Sequence, residues 1–135
     1  KDGTILHGTQ AVLACTESTV PWTTVMIRKS FGVAAAAHYG PDGYVLAWPS
    51  SESGPLPLEG GVAVAFKKEI AEAKDPEAKR KELEAKMAKN QNPFPRAEAF
   101  SVHEIIDPRE TRKYISLWAE RIQQQLKAAL IKRLS

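Results

Sequence analysis

Short runs of apolar and β-branched residues alternate along the chain with longer helical patterns. Val20–Ile27 predicts a buried strand, and Tyr44–Trp48 predicts a second short one. Val102–Ile106 is a candidate third strand. Helical patterns cover Gly8–Ser18, Val62–Ala73 and the stretch after residue 110. This alternation predicts an α/β domain.

Several local signals place the ends of these elements. Gly8–Ser18 carries few charges, which predicts a helix buried against a sheet. Pro41-Asp42-Gly43 predicts a turn, and the serine, glycine and proline of Ser50–Gly61 predict a loop. Asp75-Pro76 and Asp107-Pro108 each predict a capped helix start with proline at the first helical position.

The last helix carries apolar residues on one face: Ile115, Trp118, Ile122, Leu126 and Leu130. Their spacing of three and four residues produces a continuous stripe on a helix. We expect this stripe to serve packing or a subunit interface rather than a cofactor.

The stretch Arg28–Gly40 predicts a joint in which a strand turns through Gly32 into a short alanine-rich helix. The first backbone N–H groups of such a helix have no acceptor within it, and the helix dipole gives them partial positive charge. Small side chains at residues 34–37 leave room for an anion, or for an oxygen that becomes one. The alternative is that the alanines only let the helix pack closely against a sheet.

Composition limits the possible functions. With 135 residues, of which 43% are hydrophobic, the chain can bury one core and predicts one domain. The net charge of +3 is mild and its positive residues are interleaved with glutamates, so nucleic acid is not an expected partner. The single cysteine, Cys15, fits a reducing compartment, and no apolar run is long enough to span a bilayer. Because the opening residues 1–3 carry no structural signal, we expect a piece of a longer protein.

Side-chain catalysts are scarce. His7, His38 and His103 have no metal-ligand spacing, so no metal site is predicted. The serines at 50, 51 and 53 are not part of a Gly-x-Ser-x-Gly elbow. If the chain takes part in chemistry, backbone N–H groups must supply much of it.

Three ordered segments carry a family resemblance. They are Ser18–Pro21 with Val25–Gly32, then Ala47–Ser50 with Glu52 and Glu59–Val62, then Asn92–Phe94 with Ile105–Arg112. These segments resemble the carboxyltransferase (beta) subunit of biotin-dependent acyl-CoA carboxylases, of the propionyl-CoA and acetyl-CoA carboxylase type. In that family, Ala-Thr-Val-Pro precedes Arg-Lys-Ala-Tyr-Gly-Gly-Ala.

The resemblance implies a crotonase-like α/β fold, in which ββα units wind into a spiral, here ending in long terminal helices. It also implies that residues 1–135 are the C-terminal part of the carboxyltransferase C-terminal domain. The implied reaction transfers a carboxyl group from N-carboxybiotin to a short-chain acyl-CoA, as a step connected with fatty acid metabolism. The fragment alone is expected to be inactive.

The resemblance implies that the backbone N–H groups of Val33 and Ala34 form an oxyanion hole for the ureido oxygen of biotin. Phe31, Gly32 and Ala36 are the implied substrate-binding residues, and Ala36 lies where the family sets acyl-chain choice. This chain has Val33 where many members have a second glycine, and Ala99-Phe100 where an Arg-Gly pair often stands. These departures indicate a divergent branch.

The resemblance leaves the reaction open among related possibilities. A biotin-dependent decarboxylase of the same fold would move carboxyl groups in the opposite direction, and a noncatalytic assembly module would use the C-terminal stripe for docking. Implied partners are the missing N-terminal part of the subunit, a biotin carboxylase or biotin carrier, and further copies in a hexamer. The implied location is the cytoplasm, or the mitochondrial matrix in a eukaryote.

Overall fold

Two consecutive ββα units form the centre of the computed structural model, which describes residues 2–40 and 43–134. A helix, α1 (Asp2–Thr16), precedes them. The first unit comprises β1 (Thr23–Met26), β2 (Lys29–Phe31) and α2 (Gly32–Ala37). The second comprises β3 (Tyr44–Ala47), β4 (Glu52–Gly54) and α3 (Leu58–Ala65).

The two units stack strand on equivalent strand. β1 pairs in parallel with β3, with Val25 opposite Leu46, and β2 pairs in parallel with β4, with Phe31 opposite Gly54. A third strand, β5 (Glu104–Ile105), joins the first sheet in parallel beside β3. Parallel pairing of successive units makes the chain advance as a spiral, because each unit repeats the path of the one before.

Helices make up most of the remaining chain: α4 (Lys67–Glu72), α5 (Pro76–Ala88), α6 (Pro93–Glu98), a 3₁₀ turn (Pro108–Glu110) and α7 (Thr111–Leu134). Asp75, Asn92 and Asp107 cap three of these segments, each accepting backbone N–H bonds through its side chain. Proline follows each cap at the first position, where a missing N–H costs nothing. The two predicted Asp-Pro starts are therefore confirmed.

The core lies between the first sheet and α6. Met26, Val45, Ala47 and Val102 are buried together, and Tyr39, Ala97 and Ile105 pack against them. β3 buries three successive residues, Val45, Leu46 and Ala47, because a strand covered on both faces buries side chains on each of them.

The three predicted strands exist, each shorter than its pattern. The prediction of a loop over residues 50–61 was wrong in part, because β4 and the start of α3 lie within it. No sequence pattern indicated β2 as a separate strand. Both missed strands have only three residues, and they pair with each other in parallel, so neither is long enough to carry a periodic pattern of its own.

The helix predictions need three corrections. α1 begins at Asp2 rather than Gly8, and its apolar residues are exposed, with Ile5 at 79% and Leu13 at 54%. It contacts α2 and is not buried against a sheet. The predicted helix 62–73 begins at Leu58 and is interrupted at Phe66, which separates α3 from α4. The predicted turn at 41–43 lies outside the described residues except for Gly43.

The apolar stripe of α7 divides into two parts. Trp118 and Ile122 are half-buried where the helix crosses the end of β1. Leu126 and Leu130 are more than half exposed. Among the described helices, none combines the length and apolar composition needed to cross a bilayer.

Candidate functional site

The joint between β2 and α2 has the predicted strand–turn–helix form. Phe31 is the last residue of β2 and has extended backbone angles, and Gly32 then adopts φ +77° as the first residue of α2. A positive φ of this size is the left-handed region that glycine enters without a steric penalty. Gly32 therefore allows the chain to reverse from strand to helix within one residue.

The start of α2 leaves its amides uncapped by side chains. No side chain of the described residues caps the helix at Phe31, since phenylalanine has no acceptor. The N–H groups of Val33 and Ala34 belong to the first turn, where no intrahelical carbonyl is in reach. The side chains of Val33 and Ala34 are both exposed, Val33 by 73%.

The far end of α2 is anchored to the sheet. Thr24 Oγ1 in β1 donates to the carbonyl of His38 at 2.6 Å, and His38 Nδ1 lies 2.7 Å from the carbonyl oxygen of Ala34. These contacts fix a helix of only six residues that buries none of its side chains. The bond from Thr24 to His38 thus ties this short helix, and with it the first-turn amides, to the sheet.

A cavity of about 340 Å³ opens beside α2, and we refer to it as the α2 cavity. Its walls come from four elements: Ser30, Gly32, Val33, Ala36, Tyr39, the Gly54-Pro55 segment and Arg96. Small side chains form the helix side, which leaves the backbone of α2 accessible to a ligand.

Two hydroxyl groups meet on one wall of the α2 cavity. Ser30 Oγ and Tyr39 Oη are 3.1 Å apart, and Tyr39 Oη also donates to Met26 Sδ at 3.4 Å. The pair ties β2 to the segment after α2. It also gives the cavity a polar group opposite the apolar surface of Val33 and Ala36.

Arg96 contributes the only ionisable group on the described walls of the α2 cavity other than the Tyr39 hydroxyl. Its Nε is buried and has no hydrogen-bond partner among the described residues. A buried guanidinium N–H without an acceptor is costly, so the described residues leave the Arg96 guanidinium incompletely partnered.

The structure brings some of the expected site residues together. Gly32, Val33 and Ala36 line the α2 cavity, and Ala34 lies in the same helical turn. The Phe31 ring lies on the other side of the joint, beside Gly54 and a separate groove along β1 and β2.

The three residues with polar side chains in the cavity were not identified from the sequence. Ser30 and Tyr39 flank the predicted joint, so their position near it could have been noticed. Arg96 lies more than 60 residues away in sequence, and only the packing of α6 against the sheet brings it here.

A second polar cluster lies in the sheet of β1, β3 and β5, beside α7. Tyr44 donates to Glu104, and Val45 N–H donates to His103 Nδ1 at 3.0 Å. Burial, followed by the hydrogen bond and negative charge of Glu104, raises the pKa of Tyr44 to about 12. Within residues 2–40 and 43–134, no group of three or more acidic, histidine or cysteine side chains has the arrangement of a metal site.

Comparison with known proteins shows the family to which the chain belongs. The carboxyl transferase domain model matches residues 1–134, and the chain therefore belongs to the carboxyl transferase family. The 12S subunit of methylmalonyl-CoA carboxyltransferase from Propionibacterium freudenreichii subsp. shermanii is 39% identical over 121 residues. The match covers 84% of this chain and 22% of that protein.

Two further relatives have other reactions in their names. The carboxyltransferase subunit of Haloferax mediterranei propionyl-CoA carboxylase is 36% identical, covering 82% of this chain and 22% of the relative. The alpha subunit of Propionigenium modestum methylmalonyl-CoA decarboxylase is also 36% identical, covering 84% of this chain and 23% of the relative.

A solved structure of transcarboxylase 12S, with methylmalonyl-CoA and methylmalonic acid bound, superposes with a TM-score of 0.76. It is 36% identical, and the match covers 91% of this chain and 24% of that one. This likeness, together with the paired ββα units, confirms the predicted crotonase-like α/β fold. The chain spans less than a quarter of the length of these relatives.

Proposed function

We propose that residues 1–135 form the C-terminal part of an acyl-CoA carboxyltransferase C-terminal domain. In this proposal, the complete subunit belongs to a biotin-dependent acyl-CoA carboxylase and transfers a carboxyl group to a short-chain acyl-CoA. The observation that carries the proposal is the reversal at Gly32, which leaves the first-turn amides of α2 without side-chain caps beside a cavity.

The proposed role of Val33 and Ala34 is to donate their backbone N–H groups to an oxygen that becomes negative during the reaction. Carboxylated biotin would supply the carboxyl group, and its ureido oxygen gains charge as that group leaves. Two amides fixed in advance stabilise such an oxygen without any reorganisation at the moment of reaction. Gly32, Ala36 and Phe31 are the proposed contacts of the substrates.

The dimensions of the α2 cavity support a small ring as its occupant. About 340 Å³ is available, and the helix side carries only glycine, valine and alanine. The amides of α2 and the hydroxyls of Ser30 and Tyr39 offer a few directed polar contacts to an otherwise apolar surface. This combination is typical of cofactor sites, which use few polar groups for orientation.

The complete subunit would supply what this chain lacks. We propose that its N-terminal part holds the acyl-CoA, that a biotin carboxylase or biotin carrier delivers biotin, and that the subunits form a hexamer. The solved transcarboxylase 12S structure is a hexamer assembly with methylmalonyl-CoA bound, which supports both the acyl-CoA and the hexamer by analogy. A cytoplasmic enzyme, or one of the mitochondrial matrix in a eukaryote, would follow from this role.

The test is Ala34→Pro in the parent subunit, measured as biotin-dependent loss of the carboxyl group from methylmalonyl-CoA or malonyl-CoA. Proline removes one donor, and the first helical turn tolerates it because that N–H has no intrahelical acceptor. We expect the rate to fall by roughly 10²–10³-fold while the oligomer still assembles. Ala34→Gly, which keeps the N–H, is the control and should retain the activity.

Unchanged turnover in Ala34→Pro would refute the role of these amides. A decarboxylase is the second candidate, favoured by the relative from Propionigenium modestum. It would show the same dependence on Ala34 and would use the carboxylated acyl-CoA as its physiological substrate. No turnover in any correctly assembled variant, with a panel of acyl-CoA esters and a biotinylated carrier, would instead favour an assembly role.

A further inference from the structure

Arg96 brings a positive charge to the α2 cavity that no described residue neutralises. The ion pairs of the described residues do not include Arg96, and its buried Nε has no acceptor among them. Two surface arginines of this chain, by contrast, have carboxylate partners. Arg80 Nε donates to Glu84 at 2.8 Å, and Arg109 forms a two-pronged contact with Asp107.

The backbone of Arg96 is held in place from one side. Its carbonyl accepts the N–H of Ser101 at 2.9 Å, the hydroxyl of Ser101 at 2.9 Å and the N–H of Val102 at 3.3 Å. Val102 is itself part of the buried core. The backbone that carries the guanidinium is therefore held in place at the cavity wall.

The other walls of the α2 cavity favour an anion as the partner of Arg96. None of the described lining residues is acidic, so no described wall of the cavity offers Arg96 a carboxylate partner. A guanidinium presents parallel N–H donors that match the two oxygens of a carboxylate. A small carboxylate in the cavity would neutralise the excess positive charge of Arg96.

We propose that the α2 cavity contains a carboxylate-binding subsite in which Arg96 is the specificity-determining residue. The identity of the ligand rests on the proposed function, which offers two sources of the same chemical group. One is the carboxylate of a carboxylated acyl-CoA, and the other is the carboxylate carried on biotin. Arg96 favours the carboxylated acyl-CoA over the uncarboxylated one, or carboxylated biotin over free biotin.

The test measures this selection directly in the parent subunit. The first arm compares the affinities for methylmalonyl-CoA and propionyl-CoA, which differ by one carboxylate, and uses calorimetry without turnover. The second arm compares the KM for the carboxylated biotin carrier with the inhibition constant of the uncarboxylated carrier. The variants are Arg96→Gln, Arg96→Lys and, as the matched surface control, Arg80→Gln.

In Arg96→Gln, we expect the preference for the carboxylated ligand to fall roughly 10- to 100-fold in one arm, because a charge-assisted hydrogen bond is lost. Arg96→Lys should recover part of it, and Arg80→Gln should keep all of it. A loss in the first arm assigns the carboxylate to the acyl-CoA, and a loss in the second assigns it to biotin.

Each result is a ratio of two constants measured on the same variant. A general loss of folded protein affects both constants and therefore cancels in the ratio. Unchanged ratios in both arms would overturn the proposal, as would a wild-type subunit with no preference in either arm. Such a result would leave the proposed function intact if Ala34→Pro still abolished transfer. Conversely, a changed ratio with full activity in Ala34→Pro would retain the subsite and remove the oxyanion hole.

Discussion

Phe100 occupies a backbone position that glycine would occupy without strain. Its φ is 56°, the one positive φ among the non-glycine residues that the structure describes. The residue follows the end of α6, where Phe100 N–H donates to Ala97 at 3.0 Å and Ser101 N–H donates to Arg96 at 2.9 Å. This pair of bonds is the Schellman motif, which normally has glycine at the position of Phe100.

The expected gain from Phe100→Gly follows from three contributions. Relieving the left-handed conformation of a residue with a Cβ is worth about 1–2 kcal/mol. The extra freedom of glycine in the unfolded chain costs about 0.5–1 kcal/mol. The ring is 90% exposed, so its removal loses little burial. The net stabilisation is about 0.5–1 kcal/mol at this turn.

The assay is amide hydrogen exchange at Ser101 in the parent subunit. We expect exchange to slow about 2- to 5-fold in Phe100→Gly, which corresponds to the net free energy above. Phe100→Ala removes the same ring but retains a Cβ, so it should show no such slowing. If the Ser101 amide exchanges at the same rate in the glycine and alanine variants, the positive φ at position 100 does not destabilise the folded state.

Three other expectations concern the polar groups beside the sheets. Replacing Glu104 with glutamine should lower the pKa of Tyr44 from about 12, and burial should still hold it above 10, as tyrosinate absorbance can show. Between pH 10 and 12, the folded state keeps the hydroxyl proton of Tyr44 after the unfolded state has lost it. The free energy of unfolding should therefore fall as the pH rises from 10 towards 12, and this fall should be absent in Tyr44→Phe. Gln91 is 5% exposed and donates to the carbonyl of Leu56 at 2.8 Å, so Gln91→Leu should lower the free energy of unfolding by about 1–3 kcal/mol. Exposed Gln123→Leu should leave the melting temperature unchanged, and equal effects of the two changes would contradict this reasoning.

The elements with strong local signals were predictable from the chain itself. Asp75 and Asp107 cap their segments as the Asp-Pro pairs predicted, because a cap involves only the next two or three residues. The joint at Gly32 was predictable for the same reason, since a strand pattern, a glycine and an alanine run are neighbours in sequence. The family could also be read from short ordered motifs, and the matching domain model confirmed it.

Elements that depend on distant partners were not predictable in this way. β2 and β4 have three residues each, and they pair as strands only because the second ββα unit stacks on the first. The burial expected of α1 was wrong, because its apolar residues are accessible in the described part of the chain. Apolar composition indicates that a helix can be covered, whereas tertiary structure decides what covers it.

The sequence by itself determined the turn at Gly32, the caps, the strand cores and the family, because each depends on residues close together or on motifs in a fixed order. Tertiary structure alone decided the pairing of the two ββα units and the composition of the α2 cavity. Arg96 shows the difference most clearly: no neighbouring residue indicates a role for it. The fold packs α6 against the sheet, and this places Arg96 on a wall of the same cavity that Gly32 and Val33 line.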